Sequence, residues 1–172
     1  MHPLLERADR AIRNSAGTLT PTALAFHLAG QWSGAEILEH LELTFTRTTR
    51  GLHRIVEFGA PRTHQVTPAQ RVGRFLVLGL GWLPSGRQSP EAVRPRGADA
   101  ETVLESVLTN LAAMDAALDE AELRFGPRLP LMDHPVLGPL TIHQWRTFHW
   151  VHTRHHARQI RARARSARGR VG

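Results

Sequence analysis

The chain of 172 residues is long enough for one domain with a substantial core, and its hydrophobic content of 41% is ordinary for a globular protein. It contains no cysteine, which excludes disulfides and thiolate metal sites. The longest apolar run, residues 75–83, is far shorter than the roughly 20 residues of a membrane span. The first 17 residues mix acidic and basic side chains, so we expect no signal peptide and a cytoplasmic protein without membrane association.

The net charge of +7 is concentrated near the C-terminus. Residues 134–172 contain eight of the 22 arginines and no acidic residue, whereas the rest of the chain is almost neutral. The basic segment 162–172 indicates either a contact with nucleic acid or another anionic surface, or a frayed helix end whose cations suit the helix dipole. The second interpretation is favoured, because the segment has no aromatic residue for base stacking and follows no DNA-reading motif. We predict one domain at residues 1–161, a basic, disordered tail at 162–172, and no nucleic-acid partner.

Helix signals begin at the N-terminus. The hydrophobic pattern predicts a first helix at residues 3–14 and a short one at 21–27. Ser33 and Glu36 then form a capping box, in which each side chain bonds to the backbone of the other residue. The helix that follows is predicted to run to about residue 58, where Gly59 ends it.

Three further helices complete the pattern. Residues 67–83, which also begin with a capping box, are apolar nearly all round, which indicates a helix that is either central or covered by a partner subunit. A loop rich in proline and glycine at 84–97 precedes a long helix at 99–125, and Thr141 with Gln144 caps the last helix. No strand is predicted. The fold class is therefore an all-α four-helix bundle with a short extra N-terminal helix.

The last helix carries an unusual row of polar aromatic side chains. Steps of four, three, four and three residues place one set on a single buried face: Trp145, His149, His152, His156 and Gln159. A buried polar group without a hydrogen bond costs about 1–3 kcal/mol, so these imidazoles need partners. His152 and His156 have the usual helical spacing for two metal ligands. Spacing alone leaves open the alternative of core histidines satisfied by hydrogen bonds or water.

A third metal ligand has to come from another helix. His40 is the best candidate, because it lies on a well-capped helix beside the inner apolar stripe. Three neutral imidazoles leave one coordination position open, which is typical of a catalytic rather than a structural zinc site. A cation held in this way lowers the pKa of a bound water or polarises a substrate atom.

Two separated motifs resemble the DinB-like (YfiT-like) metalloprotein superfamily, most closely one of its subfamilies of unknown function. They are QWSGAEILEHL, which contains one histidine, and His-x-x-His-x-x-x-His-x-x-Gln-Ile on the last helix. The resemblance covers residues 32–160 and implies a four-helix bundle, often dimeric. It also implies a divalent metal, nickel or zinc, held by residues that correspond to His40, His152 and His156. Members of known activity are thiol-dependent transferases that use the metal to activate a low-molecular-weight thiol; others are grouped as hydrolases.

Neighbouring side chains could orient the three ligands. His149 and Gln159 share their face of the last helix, and Glu36 lies one turn before His40. We therefore predict a metal-dependent transferase or hydrolase that acts on a small-molecule substrate, with no catalytic or cofactor-binding residue assigned beyond the ligands. The alternative is a non-catalytic helical metal-binding protein in which residues 75–83 form a homodimer interface.

Overall fold

The computed structural model describes residues 1–61, 63–84 and 89–169. The predicted loop at 84–97 falls partly on residues 85–88 and the predicted tail partly on 170–172, both of which lie outside the described residues. The α-helices are α1 (Pro3–Ala16), α2 (Pro21–Ala25), α3 (Gly34–Phe58), α4 (Pro68–Arg74), α5 (Val103–Phe125) and α6 (Ile142–Arg168). The remaining elements are a π-helical turn (Phe75–Gly79), a 3-10 turn (Glu91–Val93) and strands β1 (Met132–His134) and β2 (Gly138–Leu140).

The predicted capping signals begin the helices in the structure. The Ser33 hydroxyl accepts a hydrogen bond from the Glu36 amide at 3.1 Å, and the Glu36 carboxylate accepts one from the Ser33 amide at 2.8 Å. The same reciprocal arrangement starts α4 and α6. Gly59 ends α3 with a φ of 71°, a left-handed conformation that costs glycine little. Local sequence therefore decides where these helices begin and where α3 ends.

The core lies among the four longest helices, with α3 packed along α5 and α1 along α6. Fully burying one large apolar side chain contributes roughly 1.5–3 kcal/mol, so these contacts hold the bundle together. The largest fully buried side chains include Leu5, Ile12, Ile37, Leu38, Leu41, Phe45, Leu52, Leu111, Met114 and Leu118. The all-α bundle is confirmed, and α1 takes a place in it beside α6.

The apolar segment at 67–83 is not a central helix. α4 stops at Arg74 and the chain continues as the π-helical turn, where the Leu80 amide donates to the Phe75 carbonyl at 3.0 Å. Val77 is its one buried hydrophobic residue, whereas Leu80 and Trp82 are more than half exposed. Glycines weaken this segment, since each costs about 1 kcal/mol in a helix relative to alanine. The prediction of one helix to residue 83 was wrong.

A short hairpin also departs from the prediction that no strand is present. β1 and β2 pair antiparallel, with Met132 opposite Leu140. The His134 Nδ1 atom accepts hydrogen bonds from the Val136 and Leu137 amides at 3.1 and 3.2 Å, which closes the turn. Strands of three residues are too short to show the alternation by which a strand is recognised in a sequence.

Helix ends differ from the predicted ones by a few residues. α5 begins at Val103 rather than 99, because residues 99–102 form a turn in which the Asp99 carbonyl accepts from the Thr102 and Val103 amides. α6 continues through residues 162–168, where the sequence predicts a disordered tail, while the domain boundary at 161 stays a prediction. None of the helices in the described part of the chain has the length and hydropathy needed to cross a membrane.

Candidate metal centre

His40 lies in the first two turns of α3 and points into the bundle, where it is 3% exposed. Its Nδ1–H donates to the Val93 carbonyl of the 3-10 turn at 2.7 Å. The adjacent Glu39 carboxylate accepts three backbone N–H bonds, from residues 96, 97 and 98, at 2.9–3.0 Å. The loop after the 3-10 turn is thereby tied to α3, and the turn holds the His40 ring in one orientation.

α6 supplies two more imidazoles to the same place. His152 Nε2 lies 3.2 Å from His40 Nε2 and 3.0 Å from His156 Nε2. The His156 Nδ1–H donates to Gln159 Oε1 at 2.7 Å, and the Phe148 ring stacks on His152 with centroids 5.3 Å apart. Three Nε2 atoms from two helices therefore converge on one point.

The protons of these rings cannot satisfy all three nitrogens. A neutral imidazole carries one N–H, and the Val93 carbonyl can only accept, so the Nε2 of His40 has no proton. The bond to Gln159 leaves His156 Nε2 in the same state. His152 can offer at most one proton to these two acceptors, and its own Nδ1 has no partner among the described residues. A buried lone pair is left over, which a cation among the three atoms would satisfy.

The spacing suits a first-row divalent cation. Zinc–nitrogen bonds of about 2.0–2.1 Å place tetrahedral ligand atoms roughly 3.3 Å apart. The observed separations of 3.2 and 3.0 Å are close to this value, and the ligand atoms of the group lie within 4.8 Å of one another. This buried group of His40, His152 and His156 could bind a metal, and imidazole is a ligand that both zinc and nickel accept.

Burial keeps the triad of His40, His152 and His156 in the neutral form that binds metals. Removal from water lowers the pKa of His156 to about 3 and that of His152 well below its usual value, with the neighbouring imidazoles adding to both shifts. Burial also lowers the pKa of His40, opposed by the hydrogen bond to Val93. Since protons compete with metals for imidazole nitrogens, a lowered pKa leaves the lone pairs available near neutral pH.

Three further residues were predicted to orient the ligands, and in the structure each has a different set of partners. Gln159 bonds to His156. His149 is fully buried, with its Nε2 3.1 Å from Thr48 Oγ1 and its ring stacked on Trp145, and no hydrogen bond joins it to the triad within the described residues. Glu36 is engaged by the capping box and lies 3.5 Å from His27 Nδ1. Of the three, Gln159 is the one that contacts a triad imidazole.

Two partners of the site were missed by the sequence analysis. Val93 contributes only its backbone carbonyl, which no side-chain pattern reveals. Glu39 lies beside His40 in the sequence, and a carboxylate on the buried side of a helix indicates that it has hydrogen-bond partners in the interior. Trp32, whose ring centroid is 5.1 Å from that of His40, covers the site from the start of α3.

A cavity of about 370 Å³ lies beside α6 and shares Gln159 with the surroundings of the triad. It lies between α6 and residues 81–83, and Gln159 forms part of its wall. The triad ligands are not among its lining residues, and the cavity wall is connected to the triad through the hydrogen bond between Gln159 and His156. Small-molecule sites have volumes of about 300–1,000 Å³, and this one lies at the lower end.

Comparison with known proteins adds a family but no described relative. No curated protein and no solved structure matches the chain significantly. One family model, described as "Protein of unknown function (DUF1569)", matches residues 5–163, a stretch that includes the three histidines and all or most of each described α-helix. The chain therefore belongs to the DUF1569 family.

Proposed function

We propose that the protein is a divalent-metal-dependent enzyme, a thiol-dependent transferase or a hydrolase, with zinc or nickel held by His40, His152 and His156. The observation that carries the proposal is the convergence of three buried Nε2 atoms, two of which have no proton to share. A purely hydrogen-bonded cluster would leave one of them unsatisfied, at a cost of about 1–3 kcal/mol. Three protein ligands also leave a position open for a reacting atom.

The surrounding residues would hold the three imidazoles in position around the cation. The cation would act as a Lewis acid toward a water, thiol or carbonyl oxygen. The Val93 carbonyl and Gln159 would fix the ring orientations of His40 and His156, as partners of metal-bound histidines commonly do. Similarity of the two histidine motifs to the DinB-like superfamily favours a low-molecular-weight thiol as the co-substrate.

Metal content tests the proposal directly. Untagged protein, purified without nickel resin and then incubated with zinc or nickel, is expected to hold about one ion per chain. His156→Ala is expected to hold none, because two imidazoles bind a cation far more weakly than three. His143→Ala, which removes an exposed histidine from the first turn of the same helix, is the matched control and is expected to match the wild type. A wild-type chain that binds neither ion would refute the metal centre.

Activity is a separate measurement. The loaded protein is screened for transfer of small thiols and for hydrolysis of small ester and amide substrates, with His40→Ala as the inactive reference. A reaction seen in the wild type and lost in this variant supports the enzyme. Full metal occupancy with no reaction across the screen would favour the alternative, a non-catalytic metal-binding protein.

One observation also favours a homodimer. Val72, Phe75, Leu80 and Trp82 are each more than half exposed and lie close together in the sequence, on and just after α4. Exposed apolar side chains grouped in this way are typical of subunit interfaces. Sedimentation of Phe75→Glu is expected to give a monomer where the wild type gives a dimer, and Leu123→Glu, at an exposed leucine of α5, controls for the added charge. A monomeric wild type would exclude the dimer.

A further inference from the structure

The cavity whose wall includes Gln159 is lined by positive charge. Three arginines of α6, Arg154, Arg158 and Arg163, contribute to its wall together with residues 81–83. No carboxylate lines it in the part of the chain that the structure describes, and α6 itself contains no acidic residue. Among the described residues, none of the three guanidinium groups has an acidic partner.

Two of these guanidinium groups are held in place by the fold. Arg154 donates to the Gly81 carbonyl at 2.7 Å and lies over the Trp150 ring, and Arg163 donates to the Trp32 carbonyl at 2.9 Å. A guanidinium group has five N–H donors, so each retains donors for a ligand. Arg158 is exposed between them in the sequence and brings a third set of donors to the cavity. The wall is therefore partly preorganised for an anion.

The same wall connects the cavity to the triad. Gln159 lines the cavity and accepts the hydrogen bond from His156 Nδ1, while its amide nitrogen lies 3.2 Å from Nε2 of His155, another lining residue. A ligand in the cavity would thus lie beside the side chain that orients one of the three imidazoles.

We propose that this cavity binds a small multivalent oxyanion, a phosphate ester or a di- or tricarboxylate, as the charged part of the molecule on which the metal centre acts. The role of the ligand rests on the proposed function, whereas the binding site itself does not. Guanidinium groups bind both kinds of oxyanion through paired N–H donors, and three of them without a carboxylate select for more than one negative charge. The volume of about 370 Å³ fits a metabolite-sized ligand.

Calorimetric titration of the full-length chain with inorganic phosphate, with citrate and with a single-stranded RNA oligonucleotide, at constant ionic strength, tests the proposal. Arg158→Gln removes the cavity arginine that makes no hydrogen bond within the described part of the chain, and we expect it to weaken binding of the preferred small anion about tenfold or more. Arg161→Gln is the matched control, because it removes the same charge from an exposed position of the same helix outside the cavity. It is expected to change affinity less than about twofold.

Each titration is run on metal-free and on zinc-loaded protein, and metal content is measured for both variants. No triad ligand lines the cavity, so anion binding by metal-free protein is expected to persist, and a failure of the metal centre would be seen separately. Whichever of phosphate and citrate binds more tightly identifies the ligand class. The proposal is overturned if neither phosphate nor citrate binds. Equal weakening by both variants, or RNA binding that exceeds that of both small anions, also overturns it and indicates a diffuse basic surface.

Discussion

Acid is expected to destabilise the metal-free protein strongly between pH 7 and pH 5, because the fold buries neutral histidines. Burial lowers the pKa of His149 and His156 to about 3 and that of His134 to about 4, from 6.5 in the unfolded chain. A histidine whose pKa is lower in the folded state stabilises the fold above the unfolded pKa, and that contribution is lost as the pH falls below 6.5.

The size of the effect follows from the same pKa values. Each pKa unit corresponds to about 1.4 kcal/mol, so at pH 5 each of the three histidines costs the folded state about 2 kcal/mol relative to neutral pH. Together they remove about 5–6 kcal/mol, a large part of the roughly 5–15 kcal/mol that stabilises an ordinary domain. For a chain of this length, the midpoint of thermal unfolding should fall by about 10–20 °C between pH 7 and pH 5. The two remaining triad histidines act in the same direction.

The assay is urea unfolding of EDTA-treated protein at pH 7 and pH 5, followed by circular dichroism. His149→Gln removes one buried titrating group that is not a triad ligand, and its amide can still reach Thr48. We expect this variant to lose about 2 kcal/mol less stability than the wild type over this pH interval. His53→Gln, at an exposed position of α3, is the control and should keep the wild-type dependence.

Two results would refute this reasoning. An unfolding free energy of the wild type that is the same at pH 7 and pH 5 would show that the buried imidazoles gain no proton on unfolding. A His149→Gln variant with the full wild-type pH dependence would show that His149 is not among the groups responsible.

Three further predictions concern the scaffold of the site. Glu39→Gln should lower the free energy of unfolding by about 1–3 kcal/mol, because a buried carboxylate that accepts three amide N–H bonds is replaced. Urea unfolding measures this loss of stability, and Glu57→Gln, at an exposed position, is the reference. Gln159→Ala should reduce metal affinity about 10- to 100-fold while the fold is kept. Competition with a chelating dye measures this affinity, and an unchanged value would show that the bond to His156 does not contribute to metal binding. Gly138→Ala should destabilise the protein by about 1–2 kcal/mol, because φ is +69° and the new Cβ would lie 2.5 Å from Gln70 Oε1. Gly30 has the same φ, and a Cβ built there would have no atom within 4 Å. Comparison with Gly30→Ala therefore separates backbone strain from crowding.

Sequence periodicity accounts for one half of the candidate site. His152, His156 and Gln159 are three or four residues apart, and the backbone of any α-helix places such residues on one face. The contacts among them are therefore local, as are the capping boxes that start α3, α4 and α6. These features were predictable because they depend on neighbouring residues alone.

Tertiary structure decides the other half. His40 and His152 are separated by 112 residues in the sequence, and His40 and Val93 by 53, so their contacts exist only once α3, α6 and the 3-10 turn are packed together. The place of His40 beside the apolar stripe of a well-capped helix, together with the resemblance to a known superfamily, indicated the first contact. Nothing in the residue pattern indicated the second, since a backbone carbonyl is present at every position.

The sequence by itself determined that the chain forms helices, where most of them begin, and which histidines of α6 share a buried face. Only the tertiary structure decided that the apolar segment after α4 remains at the surface, that a hairpin precedes α6, and that arginines of α6 line a cavity whose wall includes Gln159. Helix periodicity and capping report the interactions of residues a few positions apart. Burial, the meeting of imidazoles from two helices and the grouping of charges around a cavity depend on how distant segments pack.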